Sequence, residues 1–300
     1  MNAQQLAKEL ENKNPPTLLN VLPPEAFETG HLPQSLNACI YEVAFSETIQ
    51  KLFPDKSTPI VAYGDGGREA EVACKTLRDL GYSEIREFEG GLTEWKAAGF
   101  PLQGQGETAE GQARSGVYQV DIEDSLIRWT GRNLFNHHHG TLKLKAGQFI
   151  LRANKPQDAW FEVDMTSIFC EDIPEGGMRD TLIKHLWHSD FFDVQNYPTA
   201  RFTLQKVTEQ EQASPGTPNF LIEGQFSIRG HDHTQVFEAL IAAHPQGERI
   251  TAQAELQLDR TLFGSIYGSG RVFRHLGPHL VNDHIHLHLK IHADRKSDEA

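Results

Sequence analysis

Two periodicities divide this chain. Up to about residue 100, short apolar runs alternate with stretches in which apolar residues recur every three or four positions. Residues 17–21 and 59–63 read as buried strands bounded by Pro or Gly. Between 68 and 80, Ala70, Ala73, Leu77 and Leu80 mark one face of a helix that Gly81 stops. Strands alternating with helices predict a parallel sheet, an α/β arrangement. In the later part the period drops to two: Phe161, Val163 and Met165 stand against Glu162, Asp164 and Thr166. The same alternation runs through Phe202 and Leu204, through Phe220, Ile222, Phe226 and Ile228, and through Ile285, Leu287, Leu289 and Ile291. At least seven such segments separated by turns predict an all-β antiparallel barrel or sandwich. Residues 179–192 break the alternation, with Leu182 and Leu186 at helical spacing, so one inserted helix is expected among the strands.

Between the two patterns lies QGQGETAEGQARSG, residues 103–116, with four Gly and nothing apolar larger than Ala. It cannot feed either core and reads as a flexible linker. The expected organisation is an α/β domain over 1–102, the linker, a barrel over 117–294 and a tail over 295–300. Histidine supports the cut, since His31 stands alone before it and the other fourteen of 15 follow residue 130. At 300 residues, two cores are the natural arrangement. A formal net charge of −13 opposes the phosphate-neutralising surface that nucleic acids or anionic membranes require. No apolar run is long enough for a spanning helix, and no secretory signal opens the chain. Cys39, Cys74 and Cys170 are odd in number and far apart, which argues against a disulfide framework. These features together predict a cytoplasmic protein without a transmembrane anchor.

The first part resembles the rhodanese-like domain, on the segments LLNVLPPEAFETGHLPQS (18–35), PIVAYGDGGREAEVACKTLRDLGY (59–82) and EFEGGLTEWKAAGFPL (87–102). Active rhodaneses carry a Cys at the end of the second segment's strand, in a loop whose amides and following helix N-terminus cradle an anion. Matching the loop on Gly66 and Arg68 puts Tyr63 at the nucleophile position, and matching it on the strand-end Tyr puts Gly64 there; neither supplies a thiol. The loop Tyr63, Gly64, Asp65, Gly66, Gly67 and Arg68 is therefore degenerate, with Asp65 and Glu69 placing carboxylates where an anion would sit. Cys74 falls on the apolar face of the helix. A non-catalytic interaction module is expected, its protein partner unknown, with sulfurtransferase chemistry through a shifted residue as the alternative.

The second part resembles the YceI-like family of lipocalin-like barrels, on SLIRWTGRN, VDMTSIFCEDI, HLWHSDFFDVQNYPTARFTL, IEGQFSIRG and LDRTLFGSIYGSGRVFRHLGPHLVNDHI. That resemblance implies eight antiparallel strands around an elongated apolar cavity that binds an isoprenoid quinone, polyprenyl or other amphiphilic long-chain lipid. No cofactor is required beyond such a ligand. Trp129, Phe161, Val163, Phe202, Phe226, Ile228, Ile285 and Leu287 are expected to line the lumen, with Leu182, Leu186 and Phe192 closing one end. An eight-stranded barrel is near the size at which side chains either fill the lumen or admit one ligand. A scaffold with a filled barrel is thus the third reading.

Histidines offer a competing chemistry. Three groups could ligate a metal: His137, His138 and His139; His231 and His233; and His284, His286 and His288 with His292. On the last strand Ile285, Leu287, Leu289 and Ile291 take the opposite face, which predicts that these histidines face outward. There is no His-Glu-x-x-His motif, Gly-x-Ser-x-Gly elbow or P-loop. No metal is assigned, and a His-metal enzyme is the minor alternative.

Overall fold

A computed structural model of the protein describes residues 1–104, 113–152 and 154–296. The chain forms two compact units, Met1–Thr108 and Ala109–Ala300.

The first unit runs α1 (Ala3–Leu10), β1 (Thr17–Asn20), α2 (Pro24–Thr29), β2 (Leu36–Asn37), α3 (Phe45–Leu52), β3 (Ile60–Tyr63), α4 (Glu69–Asp79), β4 (Ile85–Phe88) and α5 (Gly91–Ala97). The four strands form a parallel sheet in the order β2-β1-β3-β4. Both faces are covered, which is why β1 and β3 are near-continuous apolar runs. One face packs Ala73, Cys74 and Leu77 of α4 against Leu19 and Ala62; the other packs Leu6, Leu92 and Trp95 against Leu18 and Val61. Asn2 starts α1 with a capping box closed by Gln5.

The second unit is a closed barrel of eight antiparallel strands. These are β5 (Gly116–Arg132), β6 (His137–Arg152), β7 (Lys155–Cys170), β8 (Thr199–Glu209), β9 (Phe220–Ile228), β10 (His231–Ala243), β11 (Arg249–Asp259) and β12 (His284–Arg295). Strands consecutive in sequence are neighbours, and β12 closes on β5. The longest strands, β5, β6 and β7, span 16 or 17 residues and bend at register shifts between Gln119 and Ile127 and between Thr141 and Lys143. Such irregularities let long strands coil around a small barrel. Gly224 serves a close approach: a Cβ there would lie 2.1 Å from the Phe202 ring, so only glycine lets that ring cross β9.

Two boundaries differ from expectation. The inserted helix, α6, spans Gly177–Trp187 and stops short of residue 192. His188 takes an extended conformation, and Phe191 and Phe192 sit on the following turn, their amides donating to the carbonyls of His188 and Leu186. Of the expected linker, residues 105–112 lie outside the described residues, and its ends already belong to folded units. Gln103 exchanges backbone hydrogen bonds of 2.7 and 2.9 Å with His31, Ala113 is buried in the barrel core, and the Arg114 amide donates to Gly247. Of the expected tail, Arg295 ends β12 and the Lys296 amide donates to Val117; residues 297–300 lie outside the described residues.

Candidate functional site

Because consecutive strands are antiparallel, the segments that follow β5, β7, β9 and β11 all emerge at the same end of the barrel. The opposite end is filled: Tyr118, Leu151, Ile250 and Ala293 are 0–2% exposed. Between the two runs an apolar lumen of about 180 Å³. For scale, an engineered apolar cavity of roughly 150 Å³ stays dry and takes up benzene. Trp129, Phe161, Phe202, Phe226 and Ile228 keep 8–9% exposure and line this free space, Trp129 bordering an outer groove as well. Val163, Leu186, Phe192, Ile285 and Leu287 also line it, so ten of the eleven expected positions face the lumen. Leu182 does not; it packs on the barrel core one helical turn before Leu186.

Aromatic rings shape the middle of the cavity. Phe202 stacks on Phe161 at 5.6 Å between centroids and meets Phe226 and Phe237 edge-on at 5.1 and 5.8 Å. Phe149 closes on Phe161 at 5.1 Å. On β5, the buried indole Nε1 of Trp129 has no hydrogen-bond partner among the described residues.

Arg260 escaped the sequence reading. It opens a 3₁₀ turn, Arg260–Phe263, directly after β11 and is 1% exposed at the α6 end of the lumen. Its guanidinium donates to the carbonyls of Ser265, Val281 (3.1 Å) and Asn282 (3.0 Å), sits 3.8 Å from Asp283 and lies over the Phe191 ring at 5.1 Å. Burial presses its pKa below the usual guanidinium range, opposed by Asp283 and Asp259. The signal in the sequence was a lone Arg inside LDRTLF. Its carbonyl shell comes from positions up to 22 residues away, which no local pattern announces.

The loop after β3 begins at Gly64. Tyr63 is fully buried, its hydroxyl donating to Ser35 Oγ at 2.7 Å and accepting from the Leu32 amide at 3.0 Å. Burial raises its pKa, outweighing those hydrogen bonds. Gly64 accepts from the Leu92 amide, and Gly91, at φ +50°, lies so near that a Cβ would meet Gly64 O at 2.3 Å. Glu69, the first residue of α4, folds its carboxylate back over the loop. A Cβ at Gly64 or Gly67 would come within 2.8 or 2.6 Å of its oxygens, and its buried Oε2 has no hydrogen-bond partner among the described residues. Asp65 and Arg68 are exposed, Arg68 paired with Glu71 at 2.8 Å. Cys74 is buried behind the helix, and burial, with Glu87, pushes its thiol up to about 11.

The histidines are scattered. On β12, Ile285, Leu287, Leu289 and Ile291 face the lumen, while His286 and His288 border an outer groove with Glu171 and Glu255. His233 packs edge-on against Phe263 at 5.1 Å. Among the described residues, neither His231 with His233 nor the β12 set brings together three ligand atoms. A trio that does form, His138, Cys170 and Asp172, was not foreseen as a set. Burial would raise the Asp172 carboxyl, but the His139 amide, the His138 ring and the Cys170 thiol hold it down at about 2.

Comparison with known proteins follows the same division. A UPF0312 protein of Pseudomonas putida is 29% identical over 168 residues, 53% of this chain and 81% of that protein. The adenylyltransferase and sulfurtransferase UBA4 of Candida albicans is 32% identical over 91 residues, 29% of this chain; the match spans only 20% of that protein's length. Among solved structures, a polyisoprenoid binding domain from Saccharophagus degradans is 12% identical with a TM-score of 0.42, covering 61% of this chain and all of that one. The rhodanese-like domain model matches residues 2–98, and the YceI-like domain model matches 118–293, more than half of the chain. The chain belongs to the YceI-like family, with a rhodanese-like domain preceding the barrel in sequence.

Proposed function

We propose that the barrel binds one amphiphilic long-chain lipid of the isoprenoid quinone or polyprenyl type, as carrier or reservoir. The carrying observation is the lumen itself: a continuous apolar wall around free space, closed by packed side chains at one end and reaching α6 and Arg260 at the other. A filled barrel would leave Phe161, Phe202 and Phe226 as tightly packed as Tyr118 and Ile250. Burying an apolar tail there is worth about 0.8 kcal/mol per methylene. On the same reading the rhodanese-like domain contributes recognition without sulfur transfer, since Gly64 opens a loop that Glu69 overlies. Three unpaired cysteines suit a reducing compartment, consistent with a cytoplasmic location. Among the described residues no helix is long and apolar enough to cross a membrane.

Native mass spectrometry of gently purified protein, with organic extraction of any bound compound, tests the proposal. A stoichiometric long-chain species supports it and names the ligand. A bare polypeptide mass that persists after incubation with quinones and polyprenyl lipids overturns it and leaves the scaffold reading.

A further inference from the structure

At the α6 end of the barrel, β6 begins with three histidines as β7 finishes on Cys170. The two strands are locked there: Gly140 pairs with Cys170, the Glu171 amide donates to His139 O at 2.9 Å, and the His139 amide donates to Asp172 Oδ1 at 2.8 Å. This backbone arrangement turns Asp172 back toward the histidines. His138 Nδ1 lies 2.9 Å from Asp172 Oδ2, and Cys170 Sγ lies 3.3 Å from Asp172 Oδ1. The three donor atoms all fall within 4.8 Å of one another, and His139 Nδ1 is 3.8 Å from Asp172 Oδ1.

Tetrahedral zinc, with bonds of about 2.0 to 2.3 Å to N, O and S, has ligand-to-ligand distances of about 3.3 to 3.7 Å. The observed separations bracket that range, so a cation could be seated by small side-chain rotations without moving the strands. Imidazole with thiolate and one carboxylate is a donor set for a borderline-soft ion and a poor one for Mg²⁺ or Ca²⁺. Access also fits: the side chains of His138 and Asp172 are 39% and 21% exposed, and Cys170 lies buried beneath them.

We propose that His138, Cys170 and Asp172, with His139 as the fourth donor, form a binding site for a zinc-class divalent cation that clips the β6 and β7 ends at the mouth of the barrel. The ion replaces the Asp172 hydrogen bonds to His138 and Cys170, and the Cys170 S–H gives its proton to solvent as the sulfur–metal bond forms. The turn after Cys170 leads directly into α6, so the clip fixes the segment that brings Leu186 and Phe192 to the lumen. The site is independent of the lipid reading and holds or fails separately from it.

The test uses the full chain, freed of metal by chelator and titrated with Zn²⁺ against a competing chelator, then with Co²⁺ as a spectroscopic probe. One equivalent of Zn²⁺ is expected, with a thiolate-to-cobalt absorption band in the near ultraviolet. Cys170→Ser removes the band, and Cys170→Ser and His138→Gln each weaken Zn²⁺ binding by on the order of 100-fold. His286→Gln, on the outer face of β12, leaves both readouts unchanged. Because Cys170 is buried and its variant could misfold, the half-exposed His138→Gln variant carries the decision on its own. Stoichiometric binding that His138→Gln leaves intact, a cobalt spectrum without a thiolate band, or no Zn²⁺ uptake at micromolar concentration overturns the proposal.

Discussion

Ala254 lies midway along β11, paired with Leu289 and Ala239, and all three line the lumen. Replacing Ala254 by Leu puts three more carbons into the cavity of about 180 Å³. If a ligand tail occupies that space, roughly three of its methylenes must withdraw, at about 0.8 kcal/mol each, or about 2.4 kcal/mol. That corresponds to a loss of about 50-fold in affinity. The protein itself is not destabilised, because the added carbons enter free space and gain contacts instead of displacing packed atoms. The assay is quenching of tryptophan fluorescence by a quinone with a ten-carbon tail, Trp129 being on the lumen wall, together with the thermal midpoint of the unliganded protein. Val236→Leu adds bulk to the outer face of β10 and changes neither. An Ala254→Leu variant that keeps wild-type quinone affinity with an unchanged or raised midpoint would falsify the reading that the ligand lies in the lumen.

Arg260→Met strands the carbonyls of Ser265, Val281 and Asn282 beside Asp283 and costs about 3 to 5 kcal/mol. At about 2 to 4 °C per kcal/mol the midpoint drops by on the order of 10 °C, and Arg260→Lys, which lacks the planar fork of donors, does not restore it. Burial raises the Asp259 carboxyl, but Thr261 and Arg271 (2.6 Å) outweigh it and leave the pKa below the ordinary value. A depressed carboxyl stabilises the fold above its ordinary titration range near pH 4, and this stabilisation is lost as pH falls through the folded-state value. Melting curves should therefore show Asp259→Asn destabilised at pH 6 and progressively closer to wild type towards pH 3. Cys74→Ser leaves thiosulfate turnover indistinguishable from wild type, because that thiol is buried behind α4; a drop on substitution would reinstate sulfur transfer.

The lumen was legible because a strand on a closed barrel has only two faces. Once Phe161, Phe202 and Ile285 were assigned to the apolar face, their neighbours at i and i+2 followed. Leu182 packs on the barrel core outside the lumen lining, because helical spacing fixes a face but not how far along its length the helix stays over the opening. Phe192 lines the lumen from the turn that follows α6 and not from the helix itself. The His138, Cys170 and Asp172 trio depends on which β6 residue faces which β7 residue. That register shifts at least once between Thr141 and Lys143, so a separation of over thirty residues carried no usable signal. In the first unit the sequence left Tyr63 and Gly64 as rival candidates for the catalytic position. Both positions are buried; Tyr63 ends β3 with its hydroxyl bonded to Ser35 and Leu32, and the loop starts at Gly64.

The carboxylate of Glu69 behaves as a tethered competitor for the loop it overlies. An incoming anion must find the site from bulk solution, losing translational freedom, whereas Glu69 is one residue from the loop and is present at high effective concentration. Its charge also opposes any thiolate or persulfide placed on that loop. A thiol installed at Gly64 would therefore need a second change, a neutral residue in place of Glu69 that vacates the space around it.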